Sequence, residues 1–522
     1  MRRSALAALA QSCYAERCRA LTVEAVGGDI REDSMAYYER LGALDASFLG
    51  IETENLQMHV GGVLIFDAGP LRTPAGGIDI DRIRAAVWSR LHLVPRFRQK
   101  LAYVPYEGAP VWVDDDRFRL AYHVRHTALP KPGDERVLKR LVGRIMSQML
   151  DRNRPLWEMW VAEGLEGDRF ALITKTHHCM IDGISGADLM SVILSPFPQE
   201  QPDMPEPWTP RPRPTSAHLF ADTLVRRAGQ PPEAFRAVRS FLTDSETRRD
   251  FTEKVASVVE AFAPAMSPVS PTPLNVEVGP HRRFDWTQMK VADLKAVKNV
   301  LGGTLNDVVL ATVAGALRVF FKKRRVDPDD LEVRAMVPVS VRSQDERGAL
   351  GNRVTQLTVP LPVHMADPIK RLRAVRRTTA DLKESKQALG GEVLTAISEW
   401  TVPNLLVQAA RLAARTRPYT LVVTNVPGPQ IPLYMLGSFM QTSYPVVPLF
   451  DNMGVTVGLF SYNGGLFWGL NADWETIPDL HDFIVAIETG FRELQEAAEA
   501  ESAKPKKPMA RKGAARAQAA SS

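Results

Sequence analysis

The sequence predicts an α/β protein built as two lobes of similar size. Three observations carry that reading. The chain has 522 residues, more than one ordinary hydrophobic core organises. Strand-like and helix-like stretches are mixed in both halves, as in layered α/β architecture. Eight prolines between residues 196 and 214 interrupt the chain, and proline at that density excludes helix and central strand and holds the backbone extended.

Taken in order, residues 1–34 show balanced charge and no clear period. They read as a flexible extension, with Met35 an alternative start of translation. Arg2-Arg3 and the alanine-rich run behind them imitate a signal peptide, but Gln11, Glu16, Arg17 and Arg19 break the apolar run too early. The first lobe is expected over 35–195. Residues 59–66 are apolar and β-branched around Gly61-Gly62 and predict a strand; 81–91 have helical spacing; 170–178 alternate and predict a strand that ends on His178. Ser185-Gly186-Ala187-Asp188 reads as a capping box opening a helix over 185–194. Residues 196–279 form a Pro-rich linker and a helical crossover, with helical character over 217–262. The second lobe is expected over 280–498. It holds a strong helix at 305–321, strands at 334–341, 354–359 and 421–425, and a hairpin of 455–460 with 466–470 around Asn463-Gly464-Gly465. An amphipathic helix over 478–497 closes it, and 499–522 form a basic tail expected to be disordered. No internal repeat is visible.

Composition excludes several function classes. Hydrophobic residues at 45% and charged residues at 24% are those of a globular protein with a sizeable core. The net charge of +5 is concentrated in the tail, whose six Lys and Arg residues leave the body one unit negative. The basic balance is therefore no signature of a nucleic-acid partner, and none is expected. Three cysteines supply neither a disulfide framework nor zinc-ligand spacing, so no metal is expected and a reducing cytoplasm fits best. The near-uncharged stretch 308–317 is far shorter than the ~20 residues needed to span a bilayer.

The chemistry lies in His177-His178-Cys179-Met180-Ile181-Asp182-Gly183. Histidine suits proton transfer near neutral pH. Strand alternation places His178 on one face with Thr176 and Thr174 and turns His177 to the other, so one ring is the candidate base and two adjacent rings make a poor metal pair. Asp182 follows across a turn, and Gly183 permits a sharp bend or close approach of a substrate. Four such fixed positions arise by accident in roughly one in a thousand chains of this length. A buried histidine pair beside a plain turn is the structural alternative. Cys179 has no base of its own in the sequence and is a poor nucleophile. Gly183-Ile184-Ser185-Gly186 is one residue short of a hydrolase elbow, and neither a P-loop nor a dinucleotide fingerprint is present.

This motif resembles the signature of the CoA-dependent acyltransferase superfamily, and further blocks resemble one branch of it, the bacterial wax ester synthase/diacylglycerol acyltransferases. Those blocks are Leu44-Asp45-Ala46-Ser47-Phe48, Pro155-Leu156-Trp157, Leu305-Asn306-Asp307-Val308, Met336-Val337-Pro338-Val339-Ser340-Val341-Arg342 and Asn425-Val426-Pro427-Gly428-Pro429. They stand in the family's order over roughly residues 44–480. The resemblance implies a two-lobed, chloramphenicol acetyltransferase-like fold with a central substrate channel. It implies His178, His177 and Asp182 as the catalytic residues, with His178 as general base, and Gly183, Asn306 and Asp307 as substrate-binding residues. Asp182 is expected to hold the turn by pairing with an arginine, Arg342 being a candidate. Thr304-Leu305-Asn306-Asp307 also fits a helix-opening capping box, so two readings of the Asn-Asp pair stand together. Pro155-Leu156-Trp157 reads as architecture, with a lining role for an acyl tunnel as the second reading.

The implied reaction moves a fatty acyl group from acyl-CoA, a co-substrate, to diacylglycerol, giving triacylglycerol, with no cofactor. A long-chain alcohol giving wax ester is the second acceptor. Rival readings are a condensation-like domain and a catalytically silent lipid-binding member of the fold. CoA is expected in the channel between the lobes. A helix over 404–417, with Arg411, Arg415 and Arg417 along it, reads as a core helix or as a surface for membrane or lipid-droplet contact. The expected location is cytoplasmic, with peripheral attachment at the inner membrane or lipid droplets.

Overall fold

The computed structural model describes residues 38–180, 190, 193–199, 201–228, 268–340, 354–388 and 418–504. In chain order the first half contains β1 (Glu39–Arg40), α1 (Ala43–Ile51), β2 (His59–Asp67), α2 (Ile80–Arg90), β3 (Gln99–Tyr103), β4 (Pro110–Asp114), α3 (Leu120–His123), β5 (Val124–Ala128), α4 (Glu135–Met146), β6 (Trp157–Leu165), β7 (Arg169–His177) and α5 (Ser216–Ala228). The second contains β8 (Arg282–Lys290), α6 (Val291–Leu301), α7 (Leu305–Lys323), β9 (Val333–Ser340), β10 (Val354–Leu361), α8 (Pro368–Ala388), β11 (Leu421–Pro427), β12 (Tyr434–Met435), β13 (Ser438–Val446), β14 (Val455–Tyr462), β15 (Gly465–Asp473) and α9 (Leu480–Ser502).

Two six-stranded sheets organise these elements, in the orders β12-β13-β2-β7-β6-β5 and β10-β9-β11-β14-β15-β8; β1, β4 and β3 form a small third sheet. The large sheets do not follow the chain halves, because β13, from the second half, pairs antiparallel with β2 in the first sheet. It also lies against the second sheet: a Cβ on Gly469 of β15 would sit 1.9 Å from the Pro445 carbonyl of β13. Only glycine permits that approach. The halves are tied again where Arg282 donates to the Gln57 side chain at 2.8 Å and to the Asn55 carbonyl, and the two large sheets where Trp286 of β8 stacks on Tyr444 of β13 at 4.8 Å.

Each lobe buries its own core. In the first, Val63, Leu64, Ile65 and Phe66 of β2 meet Phe170, Leu172 and Ile173 of β7. Lys175 is also fully buried there, and its ammonium caps the end of α4 through the Ile145 carbonyl at 2.9 Å. In the second, α7 is enclosed on nearly all sides, with Val308 through Leu317 buried. The run that was too short to cross a bilayer is thus a core helix, and no single described helix is long and apolar enough to cross one.

Most predicted elements take their expected form. The Pro-rich stretch is extended, and it is held down on the first lobe: Trp208 lies under the Arg98 guanidinium at 4.6 Å, and Arg211 binds Asp114 through Nη2 at 3.0 Å. One expectation is corrected. The strand ends at His177, and His178 opens a short 3-10 turn, so strand alternation does not place the His178 ring. The turn forms because the His177 side chain captures the Cys179 N–H at 3.1 Å, while the His178 N–H donates to the Met58 carbonyl at 2.8 Å. Asp182, Gly183, Arg342, the Ser185 capping box and the 404–417 helix lie outside the described residues.

Candidate active site

The short helix α1 builds the site. Phe48 and Glu52 are four residues apart, so they project from one face near its end. Phe48 stacks on the His178 ring, with centroids 3.9 Å apart and planes at 24°. Glu52 reaches His177, whose Nε2 lies 3.3 Å from Oε1. One helix therefore fixes both histidines, each through a different residue.

The two rings are in different states. His177 is buried, and its Nδ1 accepts the Cys179 N–H at 3.1 Å. Its proton must then sit on Nε2, facing the Glu52 carboxylate. His178 is partly exposed, but its Nδ1 is sealed and has no hydrogen-bond partner among the described residues. That leaves Nε2 as the accessible nitrogen. Burial pushes the His178 imidazole down to about 4, against the pull of its own backbone carbonyl, which favours the charged form. It is therefore neutral at physiological pH and carries a lone pair ready to take a proton.

Glu52 is the centre of a buried cluster that the sequence did not reveal. Besides His177, its Oε1 lies 3.4 Å from His59 Nε2 and accepts the Met58 N–H at 3.2 Å. Its Oε2 accepts from Arg152 at 2.8 Å. Burial alone would raise this carboxyl, but contacts with His177, His59 and Arg152 outweigh it and hold the group well below the usual carboxylate range. His59 faces His177 across the β2–β7 pair, and burial pushes it down to about 4 against the pull of Glu52. Glu52 stands four residues after Phe48, the last residue of the first sequence block, and that helical spacing was the available signal. The pairing with residues 125 and 100 positions further along was not legible.

The other singled-out residues find definite places. Leu156 is fully buried and its carbonyl accepts the His177 N–H at 2.9 Å. Trp157 donates to the Phe97 carbonyl at 2.9 Å and stacks on His123 at 4.6 Å. It also walls an apolar cleft with Leu91, Val94, Phe97 and Met159, where Thr174 and Thr176 reach in from β7. Pro155-Leu156-Trp157 thus serves as architecture and as lining. Thr304 and Asp307 form the full capping box of α7, and the second Asp307 oxygen accepts from Thr379 at 2.6 Å. That carboxylate is engaged in holding the helix end. Asn306 is partly exposed and accepts from Asn425 at 2.8 Å, which joins two of the sequence blocks. No described contact joins this pair to the histidines. Cys179 is buried, and burial pushes its thiol up, which removes it as a nucleophile. Among the described residues no group of His, Cys, Asp and Glu is arranged to hold a metal ion.

The chain is similar to known proteins over most of its length. Residues 41–309 match the model of the wax ester synthase/diacylglycerol acyltransferase catalytic domain, and residues 350–495 match that of the WS/DGAT C-terminal domain. Two Mycobacterium tuberculosis proteins that bear the provisional name diacylglycerol O-acyltransferase are 35% and 32% identical to the chain, covering 88% and 87% of it and 91% and 95% of their own length. The solved wax ester synthase/diacylglycerol acyltransferase of Marinobacter aquaeolei VT8 superposes with a TM-score of 0.66 at 26% identity, covering 88% of this chain and all of that one. A starter condensation domain of rhizomide synthetase, solved with C8-CoA, shares the fold at a TM-score of 0.53 and 12% identity, over 89% of this chain and 96% of its own. Fold and site together define a two-lobed acyltransferase. Within that class, the chain belongs to the wax ester synthase/diacylglycerol acyltransferase family.

Proposed function

We propose that the protein transfers a fatty acyl group from acyl-CoA to diacylglycerol, forming triacylglycerol, with His178 as general base. The observation that carries the reading is the partly exposed, neutral His178 ring, stacked on Phe48 with its Nδ1 sealed and Nε2 left to meet a substrate. Nε2 takes the proton of the acceptor hydroxyl as its oxygen attacks the thioester carbonyl. The tetrahedral intermediate collapses, the C–S bond breaks, and the imidazolium proton passes to the leaving thiolate to give CoA. Acyl-CoA is a co-substrate, and the chemistry needs no cofactor. A long-chain alcohol fits the same step and gives wax ester, the product in the name of the Marinobacter relative. Purified protein, labelled acyl-CoA and a panel of diacylglycerol, fatty alcohols and amines test the reading. Transfer to diacylglycerol is expected; CoA release with none of them would overturn it.

The burial of His178 sets a pH signature. Its folded value lies near 4, below the usual 6.5 of histidine. The base is competent above that value and lost as pH falls through it. With folded protein, kcat/KM, which reports the free enzyme, is expected to hold level between about pH 8 and 6 and to fall only nearer 4. An acid limb at 6.5 would contradict the assignment.

The reading includes contact with a lipid surface, where the acceptor partitions. Its support is the face formed by the β3–β4 hairpin and α5. Leu219 and Thr223 of α5 point inward, while Phe220, Leu224 and Val225 are exposed, and Tyr106, 97% exposed, meets the Phe220 ring at 5.7 Å. Aromatic and aliphatic side chains on one outward face suit the acyl–headgroup boundary. Tyr106→Ser with Phe220→Ser and Leu224→Ser should reduce flotation with phosphatidylcholine vesicles carrying diacylglycerol; equal flotation would remove this contact from the reading.

A further inference from the structure

We propose that a polar basin on the first lobe binds the phosphate-bearing end of acyl-CoA; this rests on the acyl-CoA reading above. The basin has a volume of about 500 Å3 and lies between β3, the end of β4, the α3 turn and the chain entering β6. Its charged lining comprises Lys100, Arg117, Arg119, Arg154 and Arg213 against Asp115 and Asp116, an excess of three positive charges. Both acids are taken up by Lys100, at 2.7 and 3.0 Å. The Arg154 guanidinium lies over the Tyr122 ring at 4.0 Å and reaches Asp151 at 3.3 Å. Arg117, Arg119 and Arg213 make no side-chain hydrogen bond or ion pair among the described residues, and all three are exposed.

Three uncommitted guanidinium groups around one concavity are a strong anion-binding arrangement. Each offers a planar pair of N–H donors that matches phosphate oxygens, and a concavity with a net positive lining concentrates the potential. Arg213 comes from the Pro-rich stretch that Arg211 and Trp208 hold on the lobe, so the third group is carried by anchored chain.

Position ties the basin to the chemistry. Its wall includes Asn153 and Arg154, which lead directly into Leu156, the residue whose carbonyl holds the His177 N–H. Arg152, one residue earlier, donates to Glu52. The opposite wall includes His123, which stacks on Trp157 and lies 2.8 Å through Nδ1 from the Trp157 carbonyl. Trp157 in turn walls the apolar cleft. CoA carries its phosphates at the end of a long arm away from the thioester, so their site belongs beside the histidine segment and not on it. His123 lines the basin, Trp157 lines the cleft, and the stack between them joins the two in that relation.

The test compares two donors that differ only in the nucleotide: a long-chain acyl-CoA and the same acyl group on pantetheine. In the triple variant Arg117→Ala, Arg119→Ala, Arg213→Ala, KM for acyl-CoA is expected to rise tenfold or more, as loss of charge-assisted phosphate contacts implies, with kcat unchanged. KM for acyl-pantetheine should stay as in wild type. CoA should inhibit the wild type more strongly than dephospho-CoA does, and the variant should lose that preference. Unchanged KM for acyl-CoA, or an equal rise for both donors, would overturn the site. Loss of binding to anionic vesicles with unchanged KM would assign the basin to lipid phosphate and also overturn it. If neither donor supports transfer in the wild type, the acyl-transfer reading fails, and calorimetric titration of wild type and variant with CoA still decides the basin.

Discussion

His178→Ala is expected to lower kcat about 1,000-fold, within the ~10²–10⁴-fold range of a lost general base, while the protein remains folded. The ring contributes a stack on Phe48 and no side-chain hydrogen bond among the described residues, so its removal should cost only about 1 kcal/mol of stability. KM for acyl-CoA should change little, because the proton is taken only as the hydroxyl attacks. Added imidazole should restore part of the activity by entering the space beside Phe48. Circular dichroism and a denaturant midpoint check the fold; turnover close to wild type would remove His178 from the mechanism.

Glu52→Leu is expected to be the most damaging substitution for stability. It leaves His177, His59 and Arg152 facing an apolar side chain in place of a shared carboxylate. Removing one partner from a buried charged cluster costs about 3–5 kcal/mol, and a urea midpoint should show it. Glu52→Gln keeps the shape and an acceptor for the His177 Nε2–H, so it should fold, with a loss of about 1–2 kcal/mol and reduced turnover from a less fixed histidine turn. The pH dependence has a definite sign. The Glu52 carboxyl is lowered on folding, so its contribution is full above its ordinary value of 4.5 and is lost as pH falls below it. His59, lowered from 6.5 to about 4, acts in the same direction, and its share is lost between those values. The wild type should therefore weaken steadily on acidification, and the gap to Glu52→Leu should narrow below about pH 4.5. A Glu52→Leu midpoint equal to wild type would refute the cluster's structural role.

The local parts of this molecule were legible in the sequence for physical reasons. The enclosed helix α7 announced itself by an uninterrupted apolar run and by its Thr304 cap, and the β14–β15 hairpin by Asn463-Gly464 between two apolar strands. The His177-His178 pair stood out because its chemistry is rare and compact. What failed was a rule of local geometry applied one residue too far. Alternation continues only while the backbone stays in the ladder, and the His177 side chain ends the ladder by taking the Cys179 N–H. Long-range partners were hidden for a different reason: Glu52, Arg152 and His177 belong to three separate segments, and no periodicity encodes which carboxylate meets which ring. Asp307 could be read either way from its spacing, and the contact with Thr379 on α8 shows where that carboxylate is committed.

The strand β13 has a consequence for how the chain is made. It completes the first sheet beside β2, yet it is translated some 370 residues after its partner, as the pairing of Phe66 with Met440 records. Until then a nascent chain carries β2 with one ladder edge open, and such an edge invites pairing with other chains. A ribosome-bound or proteolysed first half is therefore expected to be aggregation-prone, and the protein's yield in cells should depend on chaperones that shield that edge until the last sixth of the sequence arrives.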